Sequence, residues 1–473
     1  RRHHGGFTIV ELLVASTVGL LLVLGVIEAF RQIANAVNKG RANVQLSGQL
    51  RNVTNLLRED FRGITVQATP NTTAASAMGY FEIIEGVDND FPQSATDTLS
   101  GDTDDVIMFT SRRLGEPFSG RVQGMFVASS QPFETITSPN AEIIYWLEPR
   151  NTEFLRDGID NDGNGNSDEP SEGLIALTKH NDMPLATLRR RALLIRPDLN
   201  NDAGILPGVN TSNLVAFLNK NDISIRINAN GTVSANTLAD LTLRKNRIAH
   251  LPTSPGNTNQ DANFPHPFTT ARLPFQYDTF MGEDVVFDQV IGFDVRVYDP
   301  LVKIVADSTG SEPLTPGDPG YELRASTVAI GHGAYIDLGF ASRLTNLAPT
   351  VRNQLGSLLC LTADNRAQLN TKIVPPLYPA GSGYYTFGNC SVFDTWTIEY
   401  ERDGVDQNTN GLVDEGNDGI DNNSSGGIDD IMEAETMPPY PISLRGFQVI
   451  VRAFQNGQQQ TRQFTITHDF TPE

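Results

Sequence analysis

One carboxylate stands within the longest apolar stretch of this chain, between Phe7 and Ile27. Glu11 is the only charged residue in that stretch, and the others are apolar, small or hydroxyl-bearing. A carboxylate near the middle of a bilayer costs roughly 2.5–3.5 kcal/mol on insertion scales. A segment that served only as a membrane anchor would have no reason to keep a carboxylate at this free-energy cost. The presence of Glu11 therefore predicts a partner for its charge. A free amine from a neighbouring chain would meet this need.

Three acidic segments share one spacing, and they occupy residues 157–169, 403–415 and 418–430. All three fit the pattern Asp-Gly-[Ile/Val]-Asp-x-[Asp/Asn]-x-[Asn/Ser]-Gly-x-x-Asp-[Glu/Asp]. Oxygen ligands at loop positions one, three and five can converge on a hard cation such as Ca²⁺. Glycine at position six permits the turn, and position nine adds a ligand. The side chains at these four ligand positions are Asp160, Asp162, Asn164 and Asp168 in the first copy, Asp406, Asn408, Asn410 and Asp414 in the second, and Asp421, Asn423, Ser425 and Asp429 in the third.

The three segments resemble the calcium loops of EF-hand and thrombospondin-type repeats in extracellular proteins. They differ at position twelve, where an EF-hand places a bidentate Glu and this chain has Ser171, Asn417 and Met432. The resemblance therefore implies calcium as a cofactor, bound at weak sites of the extracellular kind. The alternative is a solvated acidic loop, because Asn, Asp and Gly favour turns without any metal.

A second feature precedes Glu11, since a Gly5-Gly6-Phe7 junction follows the basic residues at the start of the chain. With the string from Phe7 to Ala15, this junction resembles the start of type IV prepilins and type II secretion pseudopilins. The resemblance implies that a prepilin peptidase cleaves between Gly6 and Phe7, and that the new terminus of Phe7 is N-methylated. It also implies that Glu11 pairs with the N-terminal amine of an adjacent subunit during filament assembly.

Two simpler interpretations account for less of this N-terminal sequence. A secretory signal also has basic residues before an apolar core, and Ala34-Asn35-Ala36 resembles a signal-peptidase site. A charge inside the apolar core is unusual for such a signal, and the apolar run here is long for one. A single-span anchor explains the length of the run but gives no role to Glu11.

The elements that position these residues begin with one long helix. Beyond Ile27 the apolar residues recur at mostly three- and four-residue steps, which is the stripe of an amphipathic helix. One helix from about Thr8 to Arg62 would be roughly 80 Å long. The sequence therefore predicts a leader peptide at 1–6, a membrane or filament-core helix at 7–28, the amphipathic half of the same helix at 29–62, and a β-rich head at 63–473.

The head is predicted to consist of antiparallel strands, because short runs of β-branched and aromatic residues alternate with Gly, Pro, Asn and Asp. The expected fold class is α+β, with the long N-terminal helix packed on a large antiparallel sheet that carries loop insertions. The helix end at Asn55–Arg62 and the closing strand pair at Arg445–Phe470 resemble those of PilW- and GspJ-like minor pilins. The predicted strands are Tyr80–Ile84, Asp105–Thr110, Glu142–Leu147, Ala192–Arg196, Asp222–Ile227, Val285–Tyr298, Trp396–Tyr400, Ser443–Phe454 and Gln463–His468.

The chain has two cysteines, Cys360 and Cys390. A location in the cell envelope would allow them to form a disulfide. That bond would close a loop of about thirty residues, worth on the order of 3–4 kcal/mol in the chain-entropy model. Two separate buried thiols are the alternative.

Composition and motifs limit the classes of function. The net charge of −21 argues against a nucleic-acid partner, because phosphates require Lys and Arg. The sequence has no His-Glu-x-x-His, Gly-x-Ser-x-Gly, phosphate-loop or Cys-x-x-Cys motif, and it therefore predicts no enzyme.

The resemblance implies a minor pilin or pseudopilin, a structural or assembly subunit near the tip of a type IV pilus or a type II secretion pseudopilus. Its implied partners are the prepilin peptidase, other minor and major pilins or pseudopilins, and the bacterial inner membrane before assembly. The head would then lie in the periplasm or outside the cell. A calcium-stabilised tip adhesin and a membrane-anchored envelope hydrolase are the alternatives. The choice between pilus and pseudopilus stays open.

Overall fold

The computed structural model describes the N-terminal helix and the strands that follow it. The described residues are 8–66, 78–85, 105–123, 133–149, 186–251, 285–340, 392–395, 411–429, 444–455 and 460–470, without positions 202–204, 207, 211, 229, 319, 339, 423, 425 and 426.

Helix α1 runs over Ile9–Arg62, a length of 54 residues. It begins after the N-cap Thr8, whose side chain accepts a hydrogen bond from the backbone of Glu11. Gly63 caps the other end, and its N–H donates to two carbonyls of the last turn. The helix contains no proline, so its ladder of backbone hydrogen bonds is not interrupted.

In the described residues, the strands follow the helix along the chain, and two short α-helices lie between them. The strands are β1 (Phe81–Ile84), β2 (Val106–Arg112), β3 (Phe118–Val122), β4 (Glu134–Ser138), β5 (Asn140–Pro149), β6 (Ala186–Leu194), β7 (Ile225–Ile227), β8 (Val233–Ala235), β9 (Val285–Ala306), β10 (Pro313–Leu314), β11 (Ala329–Ile336), β12 (Val392–Asp394), β13 (Gly446–Gln455) and β14 (Gln460–Asp469). The short helices are α2 (Leu214–Leu218) and α3 (Tyr321–Arg324).

The described strands form one large antiparallel sheet and two small hairpins. The order across the large sheet is β12-β1-β2-β5-β6-β9-β13-β14. The long strand β9 lies between β6 and β13 in its first half, and its second half pairs with β11 and then β10. Strands β3 and β4 pair with each other, as do β7 and β8. The predicted α+β fold class is therefore confirmed.

The C-terminal part of α1 packs on one face of this sheet. Its buried apolar side chains contact aromatic rings, and the ring of Phe61 lies 4.9 Å from that of Phe447 and 5.6 Å from that of Phe109. Full burial of one such apolar side chain stabilises the fold by about 1.5–3 kcal/mol. The buried helix residues of this contact are Leu46, Leu50, Val53, Leu57 and Phe61.

The amphipathic stripe is not buried over its whole length. Phe30, Ile33, Val37 and Val44 are exposed, and burial against the sheet begins at Leu46. The stripe thus covers the sheet only with its last sixteen residues or so, about 24 Å of helix at 1.5 Å per residue. The preceding part of the helix extends beyond the sheet.

The opposite face of the sheet is covered by the segment between β6 and residue 251. Side chains on a strand alternate between faces, so Glu142 of β5 lies on the face opposite to Tyr145, which faces the helix. Glu142 accepts hydrogen bonds from Ser224 and from the backbone of Ile248. Three consecutive 3-10 turns build this part of the covering segment, at Asp240–Thr242, Arg244–Asn246 and Ile248–His250.

Candidate functional site: the N-terminal helix and its attachment to the head

The side chain of Glu11 caps its own helix. Its Oε2 accepts hydrogen bonds from the backbone N–H of Thr8 and from the Thr8 hydroxyl, each at 2.9 Å. The Thr8 hydroxyl in turn accepts the backbone N–H of Glu11 at 3.3 Å. This reciprocal capping box satisfies N–H groups at the helix start that have no partner within the helix. It also holds the carboxylate beside the position at which Phe7 enters the helix. Gly6 and Phe7 themselves lie outside the described residues.

The first half of α1 is exposed and mostly apolar, and Glu28 and Arg31 lie near its end. Its residues Ile9–Ala34 form one helical stretch of 26 residues that is long and apolar enough to cross a membrane. At 1.5 Å per residue it is about 39 Å long, against a bilayer core of about 30 Å. Leu22 is 67% exposed and Phe30 is 69% exposed. An apolar surface of this extent marks contact with lipid or with other protein.

Asp60 fixes the other end of the helix to the sheet. Its carboxylate is fully buried, and each oxygen accepts two hydrogen bonds. Oδ2 accepts from the Tyr145 hydroxyl and from Nε of Arg190, both at 2.6 Å. Oδ1 accepts from Nη2 of Arg113 at 3.0 Å and from Nη2 of Arg190 at 3.1 Å. The carbonyl of Asp60 also accepts the Ser111 hydroxyl at 2.9 Å. One helix residue is thereby joined to β2, β5, β6 and the loop after β2.

The environment of Asp60 changes the acidity of its partners. Burial raises the pKa of the Tyr145 hydroxyl well above its ordinary range, and the nearby Asp60 charge adds to this effect. Burial lowers the pKa of Arg190, but Tyr145 and Asp60 outweigh that effect and raise it overall. The tyrosine therefore stays a neutral donor and the arginine stays charged, so both keep their bonds to the carboxylate.

A buried ionic network lies on the other face of the sheet. Arg247 donates to Glu82 Oε2 at 2.8 Å and to the two oxygens of Asp394 at 2.6 and 3.2 Å. Arg244 donates to Glu82 Oε1 at 2.9 Å, and His250 lies 3.1 Å from the same oxygen. All five side chains are at least 97% buried, and Arg247 is fully buried. The network thus joins the covering segment, which carries Arg244, Arg247 and His250, to the sheet edge at β1 and β12.

A third buried carboxylate, Glu142, contributes to the same attachment. Glu142 accepts the Tyr80 hydroxyl at 2.9 Å, the Ser224 hydroxyl at 2.6 Å and the backbone N–H of Ile248 at 2.9 Å. Burial raises the pKa of Glu142 above its ordinary value, although these three donors partly offset the effect. Sequence reasoning assigned no role to Glu142, Glu82 or Asp60, because an isolated acid in a strand or at a helix end does not reveal its partners.

The structure describes three of the twelve predicted calcium ligands. These three are Asp414, Asp421 and Asp429. Asp414 and Asp429 both stand at loop position nine, and both have left-handed backbone, with φ of 55° and 51°. Asp429 Oδ1 accepts the N–H of Gly419 at 2.8 Å, and Asp418 accepts the N–H of Ile420 at the same distance. In the described part of the chain no three metal-binding side chains converge. The remaining predicted ligands are outside it, as are Cys360 and Cys390.

The N-terminal segment matches a known family model. Residues 1–27 match the model described as the prokaryotic N-terminal methylation motif. No curated protein and no solved structure matches the chain. Proteins with this motif are typically structural, are processed by a prepilin peptidase and assemble with other pilins. The motif and the apolar helix fit anchoring in a membrane before assembly. The chain thus carries the signature of type IV prepilins and pseudopilins at the start of an apolar N-terminal helix.

Proposed function

We propose that this protein is a minor pilin or pseudopilin of the PilW- and GspJ-like kind, a structural subunit that assembles near the tip of a type IV pilus or a type II secretion pseudopilus. The division of α1 carries this proposal. Its first half is exposed, apolar and capped by Glu11, whereas its last turns are fixed to the head by Asp60. The first half can therefore exchange lipid for neighbouring helices without disturbing the head.

Glu11 can assist this exchange. In the isolated chain its carboxylate accepts from neutral groups of Thr8. Cleavage after Gly6 would create a charged amine on Phe7 of every subunit. A charge-assisted hydrogen bond is roughly twice as strong as a neutral one. The amine of a neighbouring subunit is thus a better partner for Glu11 than the neutral groups of Thr8. The ion pair also neutralises both charges within the apolar surroundings.

The covered sheet and the negative charge of the protein support a position at the filament end. The sheet is covered by the helix on one face and by the segment up to residue 251 on the other. The whole chain carries a net charge of −21. Repeated side-by-side packing of many such heads would bring like charges together. A subunit present in few copies at one end avoids this repulsion.

Two measurements test the proposal. Mass spectrometry of protein from a membrane fraction should find a mature terminus at methylated Phe7. Glu11→Val should insert into the membrane normally and should enter filaments at least about tenfold less than wild type, because the neighbour's amine loses its partner.

The matched control is Glu28→Val on the same helix. Within the described residues, Glu28 pairs with exposed partners on its own helix, Arg31 at 2.9 Å and Gln32 at 3.3 Å. This control should enter filaments as wild type does. A terminus at Val37, or incorporation of Glu11→Val at the wild-type level, would contradict the proposal.

We also propose that the three acidic segments are weak calcium sites that order part of the head. The common spacing of the three copies supports this assignment. The backbone supports it too. Asp414 and Asp429 both have left-handed φ, so the second and third copies have the same backbone turn at loop position nine.

A further inference from the structure

Among the described strands, β14 stands at one edge of the large sheet. It pairs with β13 through ten consecutive residue pairs, from Gly446 opposite Asp469 to Gln455 opposite Gln460, and this register has no bulge. In the part of the chain that the structure describes, no strand pairs with its other side. At the opposite end of the sheet, β12 has only three residues, and Phe393 and Asp394 in it are buried.

One hydrogen bond determines which backbone groups of β14 point outwards. The N–H of Phe470 donates to the carbonyl of Arg445 at 2.8 Å, towards β13. In an antiparallel pair the residues alternate between groups that face the partner strand and groups that face away. The even-numbered residues of β14 therefore face β13. The residues whose N–H and C=O groups point away from it include Thr461, Gln463, Thr465 and Thr467, and their side chains are exposed.

The central part of this edge, between Arg462 and Asp469, has none of the usual protective features. Natural proteins block exposed edges with charged side chains, proline, bulges or very short strands. The central segment Gln463–Thr467 has no charge and no proline, and its register is regular. An exposed edge of this kind accepts a further strand through backbone hydrogen bonds.

The side chains of β14 indicate the chemistry of the added strand. On the helix side, Ile466 is buried, Phe464 and His468 are half-buried, and the His468 ring lies 6.3 Å from that of Phe61. The opposite side is polar and uncharged from Thr461 to Thr467, and Asp469 adds a carboxylate at its end. A complementary strand would therefore alternate apolar residues towards α1 with polar residues on the other face.

We propose that the open edge of β14 binds an amphipathic β-strand of a different protein chain, neutral or basic in charge. A second copy is disfavoured because each chain carries a net charge of −21 and like charges repel. This surface lies on the head, so the inference does not depend on the nature of the filament or on the role of Glu11.

A labelled ten-residue peptide with the sequence of Gly446–Gln455 provides a defined probe. Its odd-numbered residues from Phe447 to Ala453 are all apolar, and Arg452 is its only charged residue. Fluorescence anisotropy with the full chain in detergent micelles should show saturable binding. A scrambled peptide of the same composition should not bind.

Two edge variants and one control localise the binding. Thr465→Pro removes an N–H that points away from β13, so every hydrogen bond to β13 is kept. Proline is tolerated on an edge strand when its missing N–H would face solvent. We expect it to weaken peptide binding at least about tenfold, with an unchanged melting temperature. Thr467→Lys adds a charge that repels the basic peptide and should also weaken binding. Leu114→Lys, at a site 93% exposed on the loop after β2, should leave binding unchanged.

Several outcomes would overturn the inference. The first is failure of the wild-type chain to bind the peptide. The second is binding of the scrambled peptide with the same affinity as the original, and the third is the same peptide affinity for both edge variants as for the control. Sedimentation of the full chain tests whether a second copy of the same chain occupies the edge, because it measures whether the protein is a dimer. A dimer that Thr465→Pro dissociates would assign the edge to a second copy and overturn the choice of a different chain.

Discussion

At the scale of single residues, Asp60 shows what the sequence could and could not predict. It follows Leu57 by three positions, so helical spacing alone places it on the stripe that faces the sheet. A buried charge requires partners, but those partners, Arg113, Tyr145 and Arg190, come from three distant segments. The need for a partner was therefore predictable, whereas the identity of the partners required the tertiary structure.

Replacement of Asp60 should detach the helix end from the sheet. Asp60→Asn puts an amide N–H₂ where a carboxylate oxygen accepts two hydrogen bonds, and leaves Arg190 without a counter-charge. Breaking a buried pair in this way costs about 3–5 kcal/mol. Urea unfolding of the full chain in detergent should show this loss. Glu59→Gln is the matched control, since Glu59 is 57% exposed and lies 3.4 Å from Arg113. It should change stability by less than about 0.5 kcal/mol, and similar losses in both variants would contradict the role of Asp60.

Glu142 should make stability depend on pH. Burial raises its pKa above the ordinary value of 4.5, so the folded state binds the proton more tightly than the unfolded chain. Its contribution is therefore fully present below pH 4.5 and is lost as pH rises through the raised pKa. Glu142→Gln removes this loss because glutamine does not titrate. Its amide N–H₂ can donate to the Ser224 hydroxyl, and its oxygen can accept from the N–H of Ile248.

The measurement is the free energy of unfolding of both proteins at several pH values above and below 4.5. We expect Glu142→Gln to become progressively more stable relative to wild type as pH rises. A difference between the two proteins that stays constant with pH would show that Glu142 has no raised pKa.

At the scale of elements, helices and strands with a regular apolar periodicity were predicted well, whereas a strand with an interrupted periodicity was missed. Helix α1 and strands such as β13 have an unbroken apolar pattern. Strand β11 was missed because Gly331 and Gly333 interrupt its pattern. Gly333 has φ of +94°, and an added Cβ would come within 2.5 Å of the Tyr298 hydroxyl. A glycine of this kind marks an irregularity in the strand, and the register with β9 indeed shifts between His332 and Ala334.

Calcium should stabilise the head through the acidic segments. Bound cation adds RT ln(1 + [L]/Kd), about 2.7 kcal/mol at a hundredfold excess over Kd. The full chain in detergent should therefore melt at a higher temperature in millimolar Ca²⁺ than in chelator. The variants Asp160→Ala, Asp406→Ala and Asp421→Ala should each remove part of that gain.

A fourth acid serves as the control for the calcium experiment. Asp198 lies in a 3-10 turn, Pro197–Asn201, and its carboxylate is paired with Arg196 at 2.6 Å. Asp198→Ala should leave the calcium-dependent gain unchanged. Equal melting temperatures in calcium and chelator, with no heat of binding in calorimetry, would identify the segments as solvated turns.

At the scale of the whole molecule, the layer that covers the second face of the sheet was not predictable. The predicted strand Asp222–Ile227 contains its strand β7. The rest of the layer carries little periodicity, and its contacts join residues far apart in sequence. Arg247, for example, pairs with Glu82 and with Asp394. The α+β class followed from local patterns, but the three-layer arrangement depends on these distant ion pairs.

Removal of Arg247 should release the covering layer. Arg247→Leu removes the arginine that pairs with the buried Asp394 and one of the two arginines that pair with the buried Glu82, at a cost of about 3–5 kcal/mol. Limited proteolysis should then cleave faster within residues 197–251. Arg226→Leu is the control in the same segment, because Arg226 pairs with Asp240 at 2.7 Å while both remain one-quarter exposed. It should cost no more than about 1 kcal/mol, and equal cleavage of the two variants would contradict the role of the network.

The attachment of α1 also determines how the head would carry mechanical load. A pull on the exposed first half of the helix acts along the helix axis. The buried contacts from Leu46 to Phe61 lie side by side along that axis, and Asp60 stands at their far end. Such a force loads these contacts together in shear, whereas a force across the axis would peel them apart one turn at a time. The joint between helix and head is therefore oriented to resist tension along the helix.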